Sequence, residues 1–322
     1  MRALRFQKTG SLDHLALEEM PRPVPAAGEA LVRVKAAALN PSDVKNVLGK
    51  MHETTVPRVP GRDLAGIVEE GPAEWLGKSV VASGGGLGFS RDGSHAEYAA
   101  VPVDGLVPLP ANLSFAQAAA IGLPYITAWG SMVDLAGVRA GETVLVLGTT
   151  GAVGSAAARI VHARGARVIG TLRNAASRPP ANTRPVDDWI DLSATTLAAG
   201  ARTLTRGRGV DVVYDVVGGE MFAQCLATLA PGGRQVAISS GGSPMVSFNL
   251  VDFYHNQSRL LGFDSLKLSI EQCAAILRAV SAHFESGAFP PPQVETFPLD
   301  DALRLYREMA VSTLKVKAVL AP

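Results

Sequence analysis

A short apolar run at residues 141–147 (GETVLVL) meets three glycines spaced GxxGxxG at residues 148–154 (GTTGAVG), and a helical pattern opens directly behind them. That order suits a nucleotide-binding α/β fold. Glycines at the turn let the main chain approach a pyrophosphate, and the helix behind aims its unpaired N–H groups and the positive end of its dipole at it. The third glycine, Gly154, permits close packing of helix on strand. Glycine-rich turns that bind nothing are common, so context decides. The strand before, the helix behind and a further strand from Arg167 are all in place, as a dinucleotide fingerprint requires. Thr150, Gly151, Ala152, Val153 and Gly154 form the expected phosphate cradle.

The end of the second strand selects the nucleotide. In the NAD version an Asp or Glu about 20 residues past the glycines bonds the ribose hydroxyls. Here nineteen residues on from Gly154 stands Arg173, at the end of that strand (168–172). A guanidinium there forks onto a 2′-phosphate, whereas a carboxylate would be repelled by it. NADPH is therefore the expected cofactor, with Thr171 and Asn174 beside Arg173 and Arg178 as a further candidate.

Around this motif the chain has two styles. Up to about residue 110 it consists of short β-rich runs (30–37, 64–69 and 79–82) punctuated by Pro and Gly, which favours a compact β domain. From about residue 114 strands and helices alternate. The pieces 144–147, 155–164, 167–170, 210–217 and 235–239 give the βαβ rhythm of a doubly wound parallel sheet. Residues 271–285 carry Ile276, Leu277, Val280 and Phe284 on one helical side. A helix at 302–309 and a strand at 315–320 close the chain. The expected domains are 1–122, completed by 267–322, and 123–266.

Several function classes fall away. A net charge of +1 offers no concentrated basic surface for nucleic acid. The long uncharged stretch 105–133 is interrupted by Pro108, Pro110, Gly122 and Pro124, so no membrane span is expected. The first ten residues lack the apolar stretch of a secretory signal, which points to a cytoplasmic protein. Cys225 and Cys273 are too few for a disulfide framework or a four-cysteine zinc site, and both read as small buried hydrophobes. The histidines at 14, 52, 95, 162, 255 and 283 have no paired ligand spacing, so no metal site is expected.

The order of β domain, GxxGxxG half and returning C-terminal segment resembles the medium-chain dehydrogenase/reductase superfamily over nearly the whole chain. Residues 40–43 (NPSD), 60–66 (PGRDLAG), 93–98 (GSHAEY) and 209–215 (GVDVVYD) look like family segments. The resemblance implies an α/β protein with a GroES-like, mostly β catalytic domain and a Rossmann domain. Zinc alcohol dehydrogenases of the superfamily carry a cysteine in the first segment and a His-Glu pair after the glycine of the second. This chain has Asn40 and Ser42, then Arg62 and Asp63, so the likeness is to the zinc-independent, quinone oxidoreductase-like branch.

Without a Lewis acid, alcohol oxidation is disfavoured. A quinone or α,β-unsaturated carbonyl takes hydride at carbon and delocalises charge onto oxygen, so donors and positioning suffice. By the resemblance, Asn40 would donate to the substrate oxygen or the nicotinamide ribose. Lys45, where related quinone reductases often have tyrosine, would serve as donor or proton source. Asp43 reads either as part of that site or as a structural partner of Arg62. The resemblance also places Thr127 and Phe263 near the nicotinamide, and Val217, Ser239 and Ser240 at the ligand-collecting ends of parallel strands. Pairing through an edge strand at 258–262 implies a homodimer. An enoyl-thioester reductase of the same superfamily and a non-enzymatic NADPH-binding protein are the alternatives.

Overall fold

The computed structural model describes residues 1–179 and 185–322. They divide into two compact units: residues 1–126 with 265–322, and residues 127–264.

In the first unit, six strands of a seven-stranded sheet run in the order Glu295–Pro298, Ala318–Ala321, Glu29–Ala38, Asp63–Glu70, Ser79–Ser83 and Val107–Pro108. The seventh, Tyr98–Pro102, also pairs with Glu29–Ala38. Glu29–Ala38 is the axis of the sheet, and its inner residues Ala30, Leu31, Val32 and Val34 are all buried. The C-terminal strand lies antiparallel to it, with Val319 opposite Ala38 and Leu320 opposite Ala37. That strand starts at Ala318 rather than near 315.

The helix Ile270–Glu285 belongs to this unit. Ser269 begins it with a capping box, its hydroxyl accepting from Gln272 N while Gln272 Oε1 accepts from Ser269 N. Ile276, Leu277, Val280 and Phe284 are buried, as their spacing requires. Phe284 and Phe289 pack on Tyr125 with ring centroids 5.2 and 5.8 Å apart.

The second unit is a six-stranded sheet in the order Asp188–Asp191, Arg167–Leu172, Thr143–Val146, Val210–Asp215, Leu229–Ala237, Arg259–Gly262. All of its pairings are parallel. In sequence terms this is 3-2-1-4-5-6, the doubly wound dinucleotide-binding order, whose ligand crevice opens beyond the C-terminal ends of the first and fourth strands. Val144, Leu145, Val212 and Val213 are fully buried, as expected of strands covered on both faces. The helix Ala152–Ala163 starts three residues earlier than the periodicity suggested, because Gly151 already supplies its extended N-cap. Its Ala-rich face buries Ala156, Ala157 and Ile160.

Candidate active site

The glycine loop is built from contacts that only glycine allows. Gly148 has φ +62°, and its carbonyl accepts Gly151 N at 2.9 Å. A Cβ on Gly154 would stand 2.3 Å from Gly148 O and 2.7 Å from Gly148 C. Helix and turn therefore touch with no room for a methyl group. Thr149 is buried, with its hydroxyl 3.4 Å from the Thr171 carbonyl, tying the loop to the neighbouring strand. Thr150, Gly151 and Ala152 are exposed at the head of the helix, where its first N–H groups lack helical partners. A dinucleotide pyrophosphate fits this cradle.

Arg173 comes directly after the strand Arg167–Leu172, is exposed and makes no ion pair among the described residues. Asn174 uses its side-chain oxygen to cap the turn Ala175–Ser177, accepting Ser177 N at 3.1 Å. Only its amide nitrogen remains for a ligand. Across the crevice, Val217, Ser239 and Ser240 lie just past the strands Val210–Asp215 and Leu229–Ala237.

Sequence reading missed what holds them there. Asp215 is buried, and its Oδ1 accepts Val217 N at 3.0 Å and Gly218 N at 2.7 Å. Strand 210–217 thus ends two residues early, in a turn pinned by its own aspartate. Gly218 at φ +67° would put a Cβ 2.3 Å from Ser239 O, so the two loops lie in close contact. Ser240 donates to Ser243 O at 2.8 Å. Thr127 is buried, and its carbonyl accepts the Ser131 hydroxyl, which lies 3.0 Å from Tyr214 Oη. Phe263 lays its ring where a Cβ on Gly130 would stand 2.4 Å from Cζ.

In the first unit the expected site segment forms the helix Pro41–Val47, and Asn40 precedes it. Asn40 is 1% exposed, and its amide is committed. Nδ2 donates to Asp63 Oδ2 at 2.9 Å and to Ala38 O at 3.3 Å, while Oδ1 accepts from Lys317 Nζ at 2.7 Å. That corrects the expected role of Asn40 as a donor to substrate: both of its N–H groups already have acceptors. Asp43, fully buried, accepts Asn40 N at 2.8 Å through Oδ2, and its Oδ1 has no partner. Burial and the neighbouring Asp63 push the Asp43 carboxyl up to about 7, against the pull of Arg62 and Lys317. Lys45 is exposed. Between Asn40 and Asp43, Ser42 carries a buried hydroxyl with no hydrogen-bond partner, which the sequence reading passed over.

Asp63 is the hub. Its Oδ1 accepts Ser83 Oγ at 2.5 Å and Leu123 N at 2.9 Å, and Gly122 is required because a Cβ there would stand 2.4 Å from that oxygen. His95 is neutral. Its Nε2 donates to Ala38 O at 3.3 Å, so Nδ1 accepts the Tyr306 hydroxyl at 2.7 Å. Burial lowers its pKa to about 4.

Zinc does not fit the places where zinc dehydrogenases hold it. Asn40 has spent its oxygen on an ammonium. Arg62 is a cation without a lone pair to give, and it is 2% exposed, with Nη1 and Nη2 at 3.5 and 3.3 Å from Ser265 Oγ and O and Cζ 5.7 Å from the Phe89 ring. Arg62 turns to Ser265, so the expected pairing of Asp43 with Arg62 is replaced by the Asn40 backbone bond. Among the described residues no group of three or more His, Cys, Asp and Glu gathers as for a metal ion. Likewise, no described helix is long and apolar enough to cross a membrane.

A GroES-like sheet unit and a parallel-sheet Rossmann unit together define a two-domain nicotinamide oxidoreductase. Residues 26–111 match the family model of the alcohol dehydrogenase GroES-like domain, and residues 152–282 that of the zinc-binding dehydrogenases. The chain belongs to the medium-chain dehydrogenase/reductase superfamily, in its quinone oxidoreductase-like branch. It is 34% identical over 316 residues to a zinc-type alcohol dehydrogenase-like protein of Schizosaccharomyces pombe, covering 96% of this chain and 93% of that one. Against the quinone oxidoreductase of Rattus norvegicus the identity is 30% over 325 residues, with 98% and 96% covered. Among solved structures, an NAD-dependent alcohol dehydrogenase superposes with a TM-score of 0.88 at 31% identity, covering all of both chains. A mycobacterial protein complexed with NADPH gives 0.87 at 27%, also over all of both chains.

Proposed function

We propose that this oxidoreductase is an NADPH-dependent, metal-independent reductase of quinones or α,β-unsaturated carbonyls. The observation that carries the reading is the pairing of two substitutions: an exposed arginine where NAD enzymes place a carboxylate, and a buried guanidinium with a committed amide where zinc enzymes place ligands. NADPH supplies the hydride when bound. Residues 150–154 would hold its pyrophosphate, Arg173 with Thr171 and Asn174 its adenosine end, and Thr127, Val217, Ser239, Ser240 and Phe263 its nicotinamide end.

The protein must then neutralise charge appearing on the acceptor oxygen. The segment 40–45 is assigned that work. Ser42 contributes a hydroxyl without a protein partner and Lys45 an exposed ammonium, whereas Asn40 and Asp43 fix the backbone that carries them. Enoyl-thioester reduction is the second reading, favoured by the Asn-Pro-Ser-Asp-Val-Lys run at 40–45. The working form is proposed to be a cytoplasmic homodimer formed through the exposed edge strand Arg259–Gly262, near the exposed Val251 and Tyr254.

Stopped-flow loss of NADPH absorbance with quinones, enals and a crotonyl thioester tests the assignment. Turnover is expected on quinones or enals. Faster turnover on the thioester establishes the second reading, and silence on all three with intact NADPH binding makes the chain a non-enzymatic binder.

A further inference from the structure

Lys317 is placed by strand register. Val319 pairs with Ala38 in the antiparallel match of the last strand to Glu29–Ala38, and Leu39 N donates to Ala318 O at 3.1 Å. Residue 317 therefore arrives beside residue 40. Its ammonium donates to Leu39 O at 3.0 Å and to Asn40 Oδ1 at 2.7 Å. On the other side of the same amide stands the Asp63 carboxylate, 2.9 Å from Nδ2, itself immobilised by Ser83, by the Leu123 amide and by the fit against Gly122.

Asn40 thus lies between a cation at its oxygen and an anion at its nitrogen. Rotating the amide by half a turn would set NH₂ against ammonium and oxygen against carboxylate, so only one orientation is tolerated. The backbone is fixed with it, because Asn40 N donates to Asp43 Oδ2 and Asp43 N to Asn40 O at 3.0 Å. Ser42 lies inside that loop of bonds.

We propose that Lys317 is a positioning residue: with Asp63 it clamps the Asn40 amide and so fixes the Ser42–Lys45 segment that faces the acceptor. The clamp matters to turnover only if that segment has the role given to it under the proposed function. Lysine is suited to the task, since its compact ammonium serves two acceptors at once.

The experiment uses the full chain and two readouts. Hydrogen exchange measured by mass spectrometry over residues 37–48 is expected to run at least about tenfold faster in Lys317→Met, while residues 143–172 stay within about twofold of wild type. Turnover with the best quinone or enal is expected to fall by about 30-fold or more at an NADPH Kd within about twofold. Lys317→Arg, which keeps a charged donor, is expected to recover much of both. Because Lys317 acts through Asn40, the double variant Lys317→Met/Asn40→Ala is expected to be no slower than Asn40→Ala alone. Should Lys317→Met fail to fold, Lys317→Gln is read in its place. Unchanged exchange at 37–48 overturns the clamp, and so do losses that multiply in the double variant. A wild-type protein silent on every acceptor defeats the reductase reading instead, and the exchange result still decides the clamp.

Discussion

Replacing Gly154 by alanine isolates the phosphate loop from everything else in the chain. The added Cβ would stand 2.3 Å from Gly148 O, 2.7 Å from Gly148 C and 3.0 Å from Thr149 N. All three are backbone atoms of the turn, so no side chain can swing aside. The helix and the turn must part by at least roughly 0.7 Å to restore the shortest separation that real Cβ atoms show. Overpacking of that kind costs about 1–3 kcal/mol. Retained as strain it lowers Tm by about 1.5–4.5 °C for a chain of this size, at roughly 2.1 cal/mol/K of unfolding entropy per residue. Relieved by moving the loop it weakens NADPH by about 5–150-fold. Gly151→Ala is the control: its φ is −82° and its Cβ would meet only Gly148 O, at 3.3 Å, so Tm should stay within about 1 °C. Thermal melts and titration of NADPH fluorescence measure both quantities. If Gly154→Ala melts and binds like wild type, helix and turn are not in the contact described here and the cradle is lost as a binding site.

Two further expectations concern charge. Asp43, raised to about 7, binds a proton more tightly folded than unfolded, so its stabilisation is present at low pH and is lost as pH rises from about 4 to 7. His95, lowered to about 4, has the opposite sign, and its contribution is lost as pH falls from about 6.5 to 4. Each is on the order of 3–4 kcal/mol, and they oppose one another across the shared window. Asp43→Asn should therefore unmask His95, giving urea midpoints that fall on acidification below about pH 6.5 while wild type stays nearly level; parallel profiles would refute the assignment. Separately, Arg173→Asp is expected to weaken NADPH by tenfold or more, about 1.4 kcal/mol, while sparing NADH. Equal loss of both cofactors in calorimetry would mean that Arg173 does not meet the 2′-phosphate.

The Rossmann unit was legible because its signals are local. The strand 144–147, Gly148, Gly151, Gly154 and the helix behind them occupy one continuous stretch, and Gly148 and Gly154 each have a steric reason visible in the fold. The buried polar cluster of the first unit was not legible, for an equally physical reason. Asn40, Asp63, Ser83, His95, Tyr306 and Lys317 are brought together from across the whole chain, by strand pairing and, for Tyr306, by the helix Ala302–Ala310. A weak signal existed: Lys317 falls inside the apolar run at the end of the chain, where a lysine needs a buried acceptor. The Asn40 amide was expected to serve a ligand because its internal partners, Asp63 and Lys317, lie far away in sequence. Val216 and Val217 were read as strand, since nothing local shows that the Asp215 carboxylate binds the amides of the turn just beyond it.

Hydride transfer to a conjugated acceptor without a metal is tested most directly by recording NADPH oxidation in chelator-dialysed protein, with a quinone and an enal against a saturated aldehyde, before and after zinc is restored. Turnover of a conjugated acceptor is expected in the dialysed protein, with no gain on adding zinc and negligible reduction of the saturated aldehyde. Activity that appears only with zinc, or that favours the saturated aldehyde, would contradict metal-independent reduction.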